Sequence, residues 1–425
     1  MDDKEMDDMP RTVSMSGIIT TLKAASQMYA QRERELASSI LKTPRARAAL
    51  FLLLLPVIGL SVAEAGFEGP ETLGGTLSYS PMYFTPGIFC LAIVIGLCSG
   101  LITGCIGAGG GFIITPALMS IGVKGIIAVG TDLFHIFAKA IMGTIVHRKL
   151  GNVNVRLALA MLAGSIAGVS AGGSINRALY SADPALSDLF INIMYVLLLG
   201  FLGSYALFDF IRLRMTAGTG AQTNEPSLPM SLQAINLPPM VAFDEDLFDG
   251  GKRISAWFVA CCGAIVGFIA TLLGVAGGFL TFPLYVYVLG VSSLTTVGTD
   301  ILQIIFTAGY ASITQYAAYG FVFYTLAVGM LIGSLLGIQL GAMTTRVVKG
   351  TYIRGFYAIA ILAGFLNRLF DLPLKMQAMD MLTLSDMTAT MLSRAGNYAF
   401  YGAISIFCIW VLSTLIGRVH MLREV

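Results

Sequence analysis

Long apolar blocks fill most of the chain, cut by short polar or glycine-rich interruptions. The blocks fall at about 86–106, 112–122, 125–146, 156–177, 189–211, 254–274, 279–290, 294–317, 321–343, 352–370 and 397–417. Most hold the roughly 20 apolar residues that a helix needs to cross a bilayer. The blocks 112–122 and 279–290 are too short for that. Each follows a long apolar block and a glycine cluster, at 107–111 and 274–278. Each pair therefore reads as a re-entrant hairpin, broken at its glycines, that enters and leaves the membrane on one side. A further apolar run at 49–63 follows Arg45 and Arg47. It reads as a first transmembrane helix, placed at 46–64, although Ala63-Glu64-Ala65 also has the A-x-A form of a signal-peptide cleavage site. The pattern predicts an all-α membrane protein with about 8 full transmembrane helices and two Gly-rich re-entrant broken hairpins.

The two halves repeat each other in order. Gly96 and Gly100 match Gly263 and Gly267, and Gly107-Ala108-Gly109-Gly110-Gly111-Phe112 matches Gly274-Val275-Ala276-Gly277-Gly278-Phe279. Pro116 matches Pro283, and Val129-Gly130-Thr131-Asp132 matches Val297-Gly298-Thr299-Asp300. Gly164-Ser165, Gly168 and Gly172 match Gly333-Ser334, Gly337 and Gly341, and Arg177 aligns with Arg346. The signal rests on Gly, Pro and polar residues, not on generic Leu. The expected organisation is a cytoplasmic N-terminal extension at 1–45, the first helix at 46–64, membrane repeat 1 at 86–212, a cytoplasmic linker at 213–253, and membrane repeat 2 with the final transmembrane helix at 254–420.

Charge sets the path through the bilayer. Arg45 and Arg47 put the N-terminus inside, and the 64–85 loop, with Glu64, Glu68 and Glu71 and no Lys or Arg, lies outside. His147, Arg148 and Lys149, then Arg212 and Arg214, Lys252 and Arg253, Arg346, Lys349 and Arg354, and Arg418 and Arg423 all fall at inside ends. This holds only if each hairpin makes no net crossing. The first hairpin then enters from outside and the second from inside, so the repeats have inverted topology. Gly-interrupted segments at matching places in inverted halves are the mark of a secondary transporter.

Composition narrows the field. Hydrophobic residues make up 56% of the chain and charged residues 12%, with a mean hydropathy of +0.80. A soluble domain carries about 25% charged residues. The net charge of +2 comes without a basic patch interleaved with aromatics, which argues against nucleic-acid binding. Cys90, Cys98, Cys105, Cys261, Cys262 and Cys408 sit in apolar stretches without metal or disulfide spacing and read as small buried hydrophobes. His135, His147 and His420 show no metal spacing, and no clustered nucleophile suggests an enzyme. No cofactor is expected.

The polar residues that remain inside the apolar blocks carry the candidate chemistry. A broken helix leaves amide groups without intrahelical partners, and a helix N-terminus attracts anions. Gly107, Gly109, Gly110 and Gly111, with Gly274, Gly277 and Gly278, therefore read as an anion site at two opposed breaks, with close helix packing as the bland alternative. Asp132, His135 and Lys139 share one helix face, as do the matching Asp300, Gln303 and Thr307. Ionisable groups inside a membrane segment face a cavity or a partner. Lys139 can attract an anion or pair with Asp132. Asp132 and Asp300 can bind a coupling ion, H+ or Na+, unless they or Thr131 and Thr299 cap helices that begin there. The substrate-binding set is thus these glycines with Thr131, Thr299, Lys139, His135 and Gln303. Arg177 ends its helix at the outside and reads as either a substrate-facing or a snorkelling charge.

At these motifs the chain resembles the TauE/SafE sulfite exporter family, also called TSUP. The resemblance lies in Gly-Ala-Gly-Gly-Gly-Phe with Pro116 after it, in Val-Gly-Thr-Asp-Leu at 129–133, and in their counterparts at 274–283 and 297–301. It covers about 86–420, leaving out the N-terminal arm and the 213–253 insertion. The resemblance implies a multi-pass protein of the cell inner membrane that moves a sulfur-containing anion such as sulfite, sulfate, sulfoacetate or another sulfonate. The expected partners are that small anionic solute, H+ or Na+, and lipid. An anion channel and a non-transporting membrane assembly protein are the rival readings.

Overall fold

The interruptions in the apolar pattern become helix ends. The structure is a computed structural model that describes residues 86–106, 110–150, 154–216, 227–244, 251–276, 278–344 and 350–417, all within one unit. The extension at 1–45, the helix expected at 46–64, and Gly107, Gly109, Gly277, Arg346, Lys349, Arg418 and Arg423 lie outside these residues.

Twelve helices are described. In the first half they are α1 (Pro86–Ile106), α2 (Gly111–Ser120), α3 (Gly125–Leu150), α4 (Val155–Ala182) and α5 (Pro184–Thr216). A short α6 (Ser227–Gln233) and an antiparallel pair, β1 (Met240–Phe243) and β2 (Lys252–Ser255), follow. The second half holds α7 (Ala256–Leu273), α8 (Gly278–Pro283), α9 (Ser293–Tyr310), α10 (Tyr324–Thr344), α11 (Gly350–Gln377) and α12 (Asp386–Gly417). A π turn, Leu284–Val288, continues α8 after Pro283, and another, Ala311–Tyr316, continues α9. The chain is an all-α membrane protein: α1, α4, α5, α7, α10 and α11 are long and apolar enough to cross a bilayer.

The arms of each glycine-broken pair are unequal. α1 has 21 residues and α2 ten, while α7 has 18 and α8 six. α2 is buried on every side from Gly111 to Met119, as an all-apolar helix must be. It forms the centre of the main core with α3, the end of α7 and the start of α10.

Helix pairing follows the glycine positions. Gly96 and Gly100 of α1 lie against the backbone of Met330 and Ser334 in α10, so the two helices run parallel. Gly263 and Gly267 of α7 lie against Met161 and Ser165 in α4 with the same sense. Each half therefore packs its first helix on the fourth membrane helix of the other half. α5 and α11 pack antiparallel, with Gly203 against Leu362 and Gly355 against Phe210. Small residues let such backbones approach where lipid supplies no hydrophobic drive.

Within the 213–253 range, residues 213–216, 227–244 and 251–253 are described. α6 and the β pair dock on the membrane helices: Gln233 Nε2 donates to Leu289 O at 2.8 Å, and Asn154 Nδ2 to Ala242 O at 3.0 Å. Asp244 accepts from Ser292 N at 2.8 Å and from Thr295 Oγ1 at 2.6 Å, which places a carboxylate at the positive end of α9. Two cysteines also differ from expectation, because Cys90 and Cys261 point outward while Cys105, Cys262 and Cys408 are buried. An apolar thiol is as comfortable against lipid as in a core.

Candidate functional site

The two helix breaks meet. Gly110 closes the first in the left-handed region, φ 76°, and Gly274 closes α7 at φ 71°. Only glycine takes such angles without strain. A methyl group on Gly111 would stand 2.7 Å from Gly274 O, and one on Gly274 would stand 2.7 Å from Thr115 Oγ1 of α2. The amide end of α2 thus abuts the carbonyl end of α7.

A helix that ends in the membrane interior leaves orphan carbonyls, which must find donors. α7 finds three, on successive residues. Tyr316 OH donates to Thr271 O, Asn176 Nδ2 to Leu272 O at 3.4 Å, and Tyr195 OH to Leu273 O. Asn176 Nδ2 also donates to Tyr316 OH at 3.0 Å. These caps come from α4, α5 and the turn after α9. None was singled out from the sequence, where a Tyr or Asn in an apolar block is unremarkable.

α3 lays Asp132 beside this junction. Thr115 Oγ1 donates to Asp132 Oδ2 at 2.9 Å, and His135 Nδ1 lies 3.6 Å from Asp132 Oδ1. Both residues are fully buried, and neither Oδ1 nor Nδ1 has a hydrogen-bond partner. Lys139 interacts electrostatically with Asp132. The α3 face thus reaches the junction through Asp132. The capping alternative fails, because α3 begins at Gly125 and α9 at Ser293, well before the two Asp residues.

Thr131, His135, Thr299 and Gln303 take up reciprocal bonds between the halves. Thr131 Oγ1 accepts from Phe323 N, just before α10, at 2.9 Å. Thr299 Oγ1 accepts from Asn154 N, just before α4, at 3.0 Å. His135 Nε2 lies 2.8 Å from Ser334 Oγ, and Gln303 Nε2 donates to Ser165 Oγ at 3.0 Å. Asp300, the counterpart of Asp132, instead faces Thr281 and Tyr285 of the second hairpin. There Asp300 Oδ1, Thr281 Oγ1, Tyr285 OH and Thr296 Oγ1 are buried without hydrogen-bond partners. Gly278 opens α8. Arg177 donates to Gln315 O at 3.0 Å and lies 4.3 Å from the Tyr319 ring, so its charge is held by the turns that follow α9.

A second polar cluster went unread. Arg368 of α11 is 1% exposed and donates to Ser120 Oγ, at the end of α2, at 2.7 Å, and to Asp371 at 3.3 Å. Asn367 Nδ2 donates to Asn397 Oδ1 of α12 at 3.0 Å, and Asn192 Nδ2 of α5 to Arg368 O at 2.9 Å. The Arg-x-x-Asp spacing was the available signal. It was hidden because the apolar block ends at 370 while the helix runs to Gln377.

Comparison with known proteins addresses the family. No solved structure matches the chain. It is 26% identical to the probable membrane transporter protein YjnA of Bacillus subtilis (strain 168) over 59% of this chain and 87% of that one. It is 26% identical to YdhB of the same organism, also named a probable membrane transporter protein, over 65% of this chain and 98% of the relative. The probable membrane transporter protein MJ0441 of Methanocaldococcus jannaschii is 24% identical over 59% of this chain and 85% of its own. The model of the family described as sulfite exporter TauE/SafE matches residues 92–367. With its Gly-broken helices and membrane-spanning bundle, this chain belongs to the TauE/SafE sulfite exporter family of membrane transporters.

Proposed function

We propose that this membrane transporter carries a small sulfur-containing anion, such as sulfite, sulfate, sulfoacetate or another sulfonate, across the cell inner membrane by alternating access. Transport is coupled to H+ or Na+, and both termini are cytoplasmic. The observation that carries this reading is the junction of the two helix breaks, where Gly111 meets Gly274 and Thr115 links α2 to Asp132. Tyr316, Asn176 and Tyr195 already supply donors to the last carbonyls of α7. The N-terminal end of α2 lies at the junction, and aligned peptide dipoles give such an end about half a positive charge, which favours an anion there. Lys139, which interacts electrostatically with Asp132, adds a basic group to the same helix face.

The reciprocal contacts support two inverted repeats that exchange conformations around this point. Sequence-equivalent residues make equivalent bonds to the opposite half, Thr131 with Thr299 and His135 with Gln303. A central site flanked by matching contacts is what alternating access between mirrored halves requires.

The test is uptake and efflux of labelled sulfite, sulfate and a sulfonate in proteoliposomes, with and without pH and Na+ gradients. Saturable flux of at least one anion, accelerated by one gradient and by unlabelled substrate on the far side, is expected. Absence of flux for every anion under every gradient would overturn the reading, and unsaturable flux without exchange would make the protein a channel.

A further inference from the structure

We propose that Asp132 and His135 together bind a single proton between Oδ1 and Nδ1, and that this is the coupling ion of the first half. As a coupling site it rests on the transport reading above; as a proton site it stands on the geometry alone.

The tautomer of His135 follows from its mirror position. In the second half, Gln303 Nε2 donates to Ser165 Oγ, and Ser165 Oγ in turn donates to Met161 O at 2.9 Å. In the first half, His135 Nε2 stands where the Gln303 amide stands, 2.8 Å from Ser334 Oγ, and Ser334 Oγ donates to Leu331 O at 3.3 Å. The hydroxyl proton being directed to a backbone carbonyl, Ser334 accepts, and Nε2 carries the hydrogen. A neutral imidazole has one N–H, so Nδ1 is then a bare acceptor. It faces Asp132 Oδ1, a second bare acceptor, at 3.6 Å. Oδ2 is occupied by Thr115 and offers no escape.

Two buried acceptors that face each other lack one hydrogen. A proton placed there converts opposed lone pairs into one charge-assisted hydrogen bond. Na+ fits the pair poorly, because hard cations take several oxygen ligands and this gap offers one oxygen and one nitrogen. The matching place in the second half cannot do the same, since Gln303 does not titrate. A proton shared between a carboxylate and an imidazole is therefore confined to one of the two repeats.

Among the described residues, few charged groups act on the pair. Lys139, on the same face of α3, and Tyr195, from α5, interact electrostatically with Asp132, and Lys139 also does so with His135. α2 and α10 present to the pair the uncharged hydroxyls of Thr115 and Ser334. α9 holds its acid, Asp300, against Thr281 and Tyr285 instead. An anion bound near Lys139 would offset its charge beside the pair, which links anion and proton occupancy in the same direction.

The chain has only three histidines, so one ring can be watched. The full chain carrying His147→Gln and His420→Gln, with 15N-labelled histidine, is placed in nanodiscs and followed by NMR over about pH 5 to 9, the range in which imidazoles titrate. At alkaline pH Nε2 should give a protonated resonance and Nδ1 a bare one. On acidification Nδ1 should move to the protonated or hydrogen-bonded position in one step. Asp132→Asn should lose that step. Ser334→Ala should mix the two tautomers at alkaline pH and serves if the Asn variant does not fold. An Nδ1 that stays bare throughout, or an unchanged step in Asp132→Asn, overturns the proton site whatever the flux. In parallel, wild-type proteoliposomes are given a gradient of a simple alkanesulfonate, which has no carboxyl group and brings no proton of its own, with a pH dye inside. Acidification that accompanies uptake is expected. The NMR step without any anion flux would overturn the transport reading while leaving the proton site in place, and flux without acidification would overturn its coupling role.

Discussion

At the scale of single residues, the most demanding problem in this protein is an interrupted helix in a medium without water. α7 stops at Leu273, in the core of the bundle, and its last carbonyls cannot be left bare. Asn176 is the hinge of the solution, because its one amide serves both Leu272 O and Tyr316 OH. Asn176→Leu keeps the volume close but leaves an acceptor without its donor. A buried polar group stripped of its partner costs about 1–3 kcal/mol. The purified variant is therefore expected to unfold at a lower temperature than wild type in the same detergent. An unchanged midpoint would mean that Tyr316 and Tyr195 hold the end of α7 without help. Arg368 answers a related problem by a different route. A fully buried cation gathers Ser120, Asn367 and Asp371, and so fixes the far end of the short α2 to α11. A single broken partner there would leave a charge uncompensated, which is more damaging than removal of a surface pair.

At the scale of elements, glycine sets which helices touch. Gly164 of α4 lies so close to Ala260 that a side chain would occupy the place of its carbonyl oxygen, and Gly333 of α10 meets the Ile93 carbonyl in the same way. Gly164→Leu and Gly333→Leu should each force a helix pair apart, a penalty of about 1–3 kcal/mol or more. Gly402 of α12 has nothing within 4 Å, so Gly402→Leu should be tolerated. Thermal melting and gel-filtration profiles of the three variants check this, and equal behaviour of all three would refute the packing argument. The pairing glycines were legible in the sequence, since Gly96, Gly100, Gly164 and Gly168 recur as Gly263, Gly267, Gly333 and Gly337. So were the breaks, because no regular helix absorbs Gly-rich runs beside an apolar block too short to span. Asn176, Tyr195 and Tyr316 were not legible. They act on a helix end distant in sequence, and no local pattern marks a tertiary cap. Arg368 and the docking of α6 and the β pair escaped for a similar reason. An apolar block ends where hydropathy falls, whereas α11 continues through Asp371 and Lys375, which pair with Arg368 of the same helix and with Asp188 of α5.

At the scale of the whole molecule, the directions of the helices carry the argument. α1 runs parallel to α10 and α4 parallel to α7, while α5 runs antiparallel to α11. A chain path with α1 and α10 descending from outside, and α4 and α7 rising from inside, satisfies all three relations and leaves the basic residues at the inner ends. It makes a sharp demand on two surface points. The exposed turn at Gly122, between α2 and α3, must face outward. Met230, exposed on α6 and close in the chain to Gln233, which bonds the turn after the second hairpin at Leu289, must face inward. Gly122→Cys and Met230→Cys can be introduced singly into a chain whose six native cysteines are replaced. In intact cells a membrane-impermeant maleimide should label the first and spare the second, and in inverted vesicles the order should reverse. Labelling of both from one side would place the two hairpins on the same face. The halves would then be related by an axis along the membrane normal, and a site alternating between mirrored repeats would lose its geometric basis.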